Sequence, residues 1–360
     1  MDNILVKDVG EKFVVKELTS VLQADPRLIG GFGSDSGVLN IDLNDEYLLM
    51  NTDRSGMNIA YQMGLADGSC VGDFGVSHAV SDIYASGGEP FAVSVALFLT
   101  EDMTMGFVKQ IMDGAQQAAK RYGAFIASGD TKKGKKFSMV VTAVGKCKKN
   151  HVLTRKGAQE GDYLVITGNS GVMLTGLLVL EKNIPVSSAE KEILTNAIVY
   201  QNPPYKFPRN LMDNSMTHAG MDNSDGLISS IYSLSEQSNL GIIINEEAIP
   251  CLDVTKKIAH DLDINPFQLC IGSGDWQHIF AVDKNQIDKF IKIAQESNNK
   301  VTVIGQFINN KYTALKNKNG FFALKRLEND RFKTSGKKWF EYLSSKIVYT
   351  GDKINERDLF

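Results

Sequence analysis

The chain has 360 residues, 43% of them hydrophobic and 22% charged, with a formal net charge of −3. This is the composition of a globular protein with a sizeable core; the length favours two domains, and the weak net charge offers no global field for nucleic acid or an anionic membrane. No apolar run reaches transmembrane length, nothing at the N-terminus resembles a signal peptide, and Cys70, Cys147, Cys251 and Cys270 lack CxxC spacing, so a cytoplasmic protein with reduced thiols is expected.

Glu11–Gln23 carries apolar residues at helical spacing and predicts an amphipathic helix ended by Asp25-Pro26. A Gly-rich stretch, Gly30–Gly37, leads to a strand over Tyr47–Thr52 that ends at Asp53. Phe74–Ala85 reads as a helix with Asp82 inside it, and Pro90–Leu99 as a buried strand. Phe107–Arg121 places Phe107, Ile111, Ala115 and Ala118 on one face, a helix that packs back on the sheet. Ala124–Ala127 and Phe137–Gly145 are further strands around the loop TKKGKK. A second unit begins near Ala158, with strand Tyr163–Thr167, a tight loop Gly168–Gly171 and helix Val172–Leu180. Pro203-Pro204 breaks the next helical run, Gly220–Ser224 opens a third helix, and strands follow at Gly241–Ile244, Phe280–Val282 and Val301–Ile304. Interleaved strands and helices predict α/β or α+β architecture in two domains, 1–152 and 153–345, with a tail at 346–360.

The carboxylates carry the chemistry. Asp222 and Asp225 lie in GMDNSDGLI; Asp35, Asp53, Asp82 and Asp130 stand in similar settings, each beside Gly, Ser or Thr and next to an apolar run. Carboxylates delivered to element ends suit a hard divalent cation, which takes oxygen ligands and bridges to phosphates. Each also has an ordinary structural reading: Asp225 or Ser224 as a helix cap, Asp35 as a turn residue. Other motifs fail. GGFGSDSG ends in Ser where a dinucleotide fingerprint needs Gly, no GxxxxGK[ST] occurs, and the five histidines form no ligand-spaced pair.

GSDSGVL, NTD, AVSDIYASGG, SGDTKKG, VLTRKGAQEGDYLVITG, MDNSDGLIS, GSGDWQHIF and VIGQF occur in that order, and together they resemble the thiamine-monophosphate kinase family over nearly the whole chain. The family sits in a superfamily with aminoimidazole ribonucleotide synthetase and selenophosphate synthetase; SDIYASGG also resembles the latter, but its Cys-rich N-terminus is missing here. The resemblance implies an aminoimidazole ribonucleotide synthetase-like fold whose N-terminal sheet pairs across a homodimer, with ATP in a cleft at the interface and its phosphates on several Mg²⁺ ions. It implies metal positions at Asp35, Asn51, Thr52, Asp53, Asp82, Asp130, Asp222 and Asp225, nucleotide contacts at Gly129, Asp130, Arg155 and Ser224, catalytic roles for Asp225 and Asp130, and substrate contacts at Asp275 and Trp276. Phosphoryl transfer needs positioning and neutralised oxygens more than covalent help, which such a set supplies.

Three departures from the family pattern stand out, one in the first metal motif and two on the acceptor side. Ser34-Asp35 replaces a paired Asp-Asp, Ala60 replaces a substrate-side His, and Gly274 stands where the family has a Glu. Lost polar partners discriminate strongly among substrates, so the small-molecule phosphate acceptor is expected to differ. Two other readings of the residues remain: ATP-driven activation of a carbonyl or amide oxygen, and a catalytically silent ATP-binding regulatory subunit.

Overall fold

The computed structural model describes residues 16–17, 20, 25–31, 35–272, 274–327 and 347–359. Lys16, Glu17 and Ser20 are helical; the rest of the helix expected over Glu11–Gln23, and Ser34, lie outside the described residues.

In chain order the elements are β1 (Leu28–Ile29), β2 (Gly37–Leu43), β3 (Glu46–Ser55), α1 (Ile59–Gln62), α2 (Ser69–Ala85), β4 (Glu89–Leu99), α3 (Met105–Arg121), β5 (Phe125–Lys133) and β6 (Ser138–Lys148). Then come β7 (Tyr163–Thr167), α4 (Val172–Glu181), α5 (Ser188–Val199), β8 (Thr217–Asp222), α6 (Leu227–Ser238), β9 (Gly241–Asn245), α7 (Asp253–Asp261) and α8 (Pro266–Cys270). β10 (His278–Val282), α9 (Ile287–Glu296), β11 (Val301–Ile308), β12 (Thr313–Asn317), β13 (Gly320–Leu324) and β14 (Thr350–Ile354) follow among the described residues.

These elements build two sheets, 6-stranded in the order β1-β2-β3-β6-β4-β5 and 8-stranded in the order β14-β13-β12-β9-β11-β7-β10-β8. Most neighbours are antiparallel, with β4–β5 and β12–β9 parallel, so the class is α+β. In the first sheet α2 and α3 cover the face that carries Leu49, Val93, Val95, Met139, Val141 and Ala143. The two helices approach closely through Gly72 and Gly114: a Cβ on Gly72 would stand 1.8 Å from the Ile111 carbonyl oxygen, and one on Gly114 1.9 Å from that of Ser69. α2 has most of its surface buried, including Val76, Ala79, Val80 and Ile83, which explains its apolar sequence on nearly all sides.

The second sheet is covered on both faces. Leu164, Ile166 and Ile279 pack with Leu227, Ile228 and Ile231 of α6, while Val165, Phe280 and Val282 pack with Phe207 and Phe290. Strands buried on both sides read as apolar runs without alternation, which is why YLVIT and HIFAV stand out in sequence.

Several expectations are corrected. β3 runs through Asp53 to Ser55 instead of ending there, and β5 continues through Asp130 into the segment expected as a loop. Gly220–Asp222 is the end of strand β8, not a helix start; its residues THAGMD are buried almost throughout and show no period of two. Residues 350–354, set apart as tail, pair with β13 as the edge of the second sheet.

Candidate active site

The two sheets meet where the last turn of α2 faces the end of β8. Asp82 comes from that turn, Asp222 from the strand end, and Asp35 from the segment before β2. One oxygen from each of Asp35, Asp82 and Asp222 lies within 4.8 Å of the others. Around Mg²⁺, with bonds of about 2.1 Å, opposite ligands stand about 4.2 Å apart, so a small contraction of side chains would enclose such an ion; the all-oxygen donor set suits it.

Neighbouring side chains hold these carboxylates in place. Asn51 donates from Nδ2 to Asp82 and, at 3.4 Å, to Asp53, so one amide bridges two acidic groups. Ser81 Oγ donates to Asp222 at 2.9 Å and Ser224 Oγ at 2.8 Å; the backbone N–H of Asp222 donates to Asp35 at 2.9 Å. Arg155 straddles Asp35, with Nε 2.6 Å from its Oδ1 and a second guanidinium nitrogen on the same oxygen. The Asp35 side chain is only 2% exposed.

Packing carboxylates this tightly has an electrostatic cost. Burial, followed by the charge of Asp35, pushes the Asp222 carboxyl up to about 7. Burial, then Asp222, Asp35 and Asp53, raises Asp82 well above the usual carboxylate range. Burial works against the Arg155 charge, but Asp35, Asp222 and Asp82 outweigh it and keep the guanidinium firmly protonated. Arg155 thus sets one positive charge against a cluster of three carboxylates.

The expected residues do not all converge. On β3, Asn51 and Asp53 face α2, while Thr52 points to the opposite face, where its Oγ1 lies 2.9 Å from Thr142 Oγ1. Asp130 is on that opposite face too: it pairs across Ala96 and Val140 with Arg54. Three strand spacings separate β5 from β3, about 14 Å at ~4.8 Å each. Asp130 is exposed, accepting from the Thr131 N–H at 2.8 Å with Lys132 Nζ at 3.7 Å. Within one chain, then, Thr52 and Asp130 are not side-chain partners of the buried cluster. Gly129 has a packing reason, since a Cβ there would stand 2.3 Å from the Val95 carbonyl oxygen.

Ser224 belongs to the cluster through Asp222, and Asp225 sits on the exposed turn beyond it. Neither caps α6. The cap position is Gly226, with φ +94° and a backbone so close to Ile271 that a Cβ would meet its carbonyl oxygen at 2.0 Å. Asp275 accepts from the Gly171 and Met173 N–H groups at the start of α4, and burial holds its carboxyl near 6 despite those bonds. Trp276 is buried, at φ +52°, with its ring 3.8 Å from that of His78 and its Nε1 donating to Gln201. It packs the two units together. A cleft of about 300 Å³ beside it is lined by Gly168, Asn169, Gln201, Gly274, Asp275 and Gln277. At its rim, a Cβ on Gly274 would lie 1.9 Å from Met173 Sδ, so the methionine fills the space of a side chain at 274. Ala60 is fully buried on the short helix α1.

Sequence reasoning missed Ser81, Met173 and the Arg155–Asp35 pair. Ser81 had a signal in its place beside Asp82; the other two are contacts between distant segments.

Two family models match in tandem: "AIR synthase related protein, N-terminal domain" over residues 33–147 and "AIR synthase related protein, C-terminal domain" over residues 159–317. The thiamine-monophosphate kinase of Pyrococcus abyssi is 28% identical over 263 residues, 71% of this chain and 78% of its own. Among solved structures, AaThiL complexed with AMPPCP and TMP is similar with a TM-score of 0.74 at 22% identity, covering 88% of this chain and 96% of that one. E. coli HypE, a hydrogenase maturation protein, is similar with a TM-score of 0.65 at 19% identity, covering 89% and 99%. These structures share the fold.

Proposed function

The chain belongs to the AIR synthase related family, and on that premise we propose that it is an ATP- and Mg²⁺-dependent phosphotransferase of the thiamine-monophosphate kinase type with a changed acceptor. The observation that carries this reading is the convergence of Asp35, Asp82 and Asp222 within 4.8 Å around a deficit of positive charge. In this reading Asp35, Asp82 and Asp222, with Asn51 and Asp53 behind them, hold Mg²⁺. An ion held there would supply the charge that neutralises phosphoryl oxygens. Arg155 turns its planar fork from Asp35 toward a phosphate. Ser81 and Ser224 keep the Asp222 carboxylate aimed inward. The relative named as a thiamine-monophosphate kinase and the neighbour holding AMPPCP, an ATP analogue, support nucleotide use. Met173 in the space beside Gly274, and Ala60, support a different acceptor.

Phosphorus NMR with ATP, Mg²⁺ and thiamine monophosphate tests this. Broadened ATP resonances without thiamine diphosphate are expected. Formation of thiamine diphosphate would overturn the changed acceptor, and undisturbed ATP signals would overturn the enzyme reading.

We also propose that the protein is a homodimer through the outer face of the first sheet. Met50, Val144, Ala92 and Phe125 form one apolar row across four strands, with Met50 46% and Phe125 62% exposed. Thr52 and Asp130 share that face, so they serve the nucleotide from the interface side. Met50→Asp is expected to convert dimer to monomer in sedimentation equilibrium; a monomeric wild type at micromolar concentration would remove the proposal.

A further inference from the structure

Behind the 300 Å³ cleft two thiols touch. Cys251 follows Pro250 in the segment between β9 and α7, and Cys270 ends α8; their sulfurs are 3.4 Å apart although the residues are 19 apart in sequence. Cys270 is fully buried. Cys251 is only partly so, and it lines a separate cleft of about 490 Å³ together with Lys256, Glu246, Phe267 and Tyr349. Cys251 therefore stands on the cleft side of the pair and Cys270 behind it. Their acidities differ in the same sense: the hydrogen bond with Cys270 lowers Cys251 against the effect of burial, aided by Lys256, while that bond and burial raise Cys270. An accessible thiol inclined to ionise with a second thiol poised behind it is the arrangement of a redox-reactive pair.

We propose that Cys251 and Cys270 are a reversible disulfide site, with Cys251 the attacking and Cys270 the resolving thiol toward low-molecular-weight disulfides. The Cys251 thiolate attacks one sulfur of the small disulfide, forms a mixed disulfide and expels one small thiolate, which takes up the proton lost by Cys251. Cys270 then loses its proton and attacks Cys251 Sγ, and the second small thiol leaves with that proton. Two protein thiols become one disulfide, and one small disulfide becomes two thiols. Forming the bond brings the sulfurs from 3.4 Å to about 2 Å.

The pair supports the loop 168–171 from behind. The Ser170 N–H donates to the Pro250 carbonyl at 2.7 Å, and a Cβ on Gly171 would meet Cys270 Sγ at 3.3 Å. Oxidation thus joins two supports of a loop that lines the smaller cleft. The chemistry does not depend on the phosphotransferase reading.

The test treats the full-length protein with glutathione disulfide, followed by digestion and mass spectrometry without reductant. Wild type is expected to give a Cys251–Cys270 cross-linked peptide that dithiothreitol dissolves. Cys270→Ser should instead accumulate a glutathione adduct on Cys251, and Cys251→Ser should leave Cys270 unmodified. Closing this loop should also raise the melting temperature of oxidised wild type but not of oxidised Cys270→Ser. Absence of the cross-link in wild type, which needs no variant, overturns the proposal. Equal modification of Cys270 in Cys251→Ser overturns the assigned order of attack.

Discussion

Asp222→Asn is expected to abolish ATP turnover, by at least about 100-fold, and at the same time to raise the melting temperature of the metal-free protein. The loss follows from removing one of the three converging carboxylates proposed to hold the metal, since even groups that only support a ligand typically count for 10–100-fold. The gain in stability follows from charge. A carboxyl displaced from 3.8 to about 7 carries about 4 kcal/mol of disfavoured ionisation above neutrality. Asn keeps one acceptor for Ser81 or Ser224 and loses the other, which costs about 1–2 kcal/mol. The net gain is on the order of 2 kcal/mol, about 5 °C.

The pH dependence has a definite sign. Between 3.8 and about 7 the folded Asp222 keeps a proton that the unfolded chain has released, so the folded state binds more protons and stability falls as pH rises through that window. Below 3.8 both states are protonated and the group is neutral in effect; above 7 its penalty is complete. A metal bound at the cluster would reverse the trend, because it binds the ionised form. Thermal scans from pH 5 to 8 without metal are therefore expected to slope downward more steeply in wild type than in Asp222→Asn. A lower melting temperature for the metal-free variant, or an identical slope, would show that mutual repulsion is not what governs this cluster.

Arg155→Ala should do the opposite to stability. The guanidinium is the cation against Asp35 and lies near Asp222 and Asp82, so its removal leaves buried charge uncompensated. Breaking such a pair costs about 3–5 kcal/mol when fully buried; the half-buried Arg155 should cost about 2–3 kcal/mol, roughly 5–10 °C. Mg²⁺ should restore much of that deficit, because the ion supplies the missing charge. ATP affinity should nonetheless stay low, since the fork proposed to meet the phosphate is gone, and Arg155→Lys should rescue stability better than affinity. The measurement is melting temperature with and without Mg²⁺, beside ATP binding by calorimetry. A deficit insensitive to Mg²⁺ would mean that Arg155 contributes packing and not charge. Read together, the two variants separate electrostatics from shape: one deletes an anion, the other a cation, at sites joined through Asp35.

The sequence by itself determined a fold of interleaved helices and strands, the apolar strands β4, β7 and β10, and the acidic positions, because these depend on local pattern and residue type; the pairing of the strands then decided for α+β. Doubly buried strands are apolar throughout, and carboxylates beside small residues announce oxygen chemistry wherever they are found. Strand β8 escaped because Thr217, His218, Gly220 and Asp222 leave it neither an apolar run nor an alternation, and the edge strands near the C-terminus because pairing, not pattern, creates them. Tertiary structure alone decided which acidic groups share a site. The period-two geometry of β3 turned Thr52 away from Asn51 and Asp53, and the strand order carried Asp130 to the far edge and the opposite face. It also decided that Arg155 reaches Asp35 across 120 residues, that Met173 fills the space at Gly274, and that Cys251 meets Cys270. Contacts between distant segments follow from how helices, loops and sheets pack together, and no spacing along the chain encodes them.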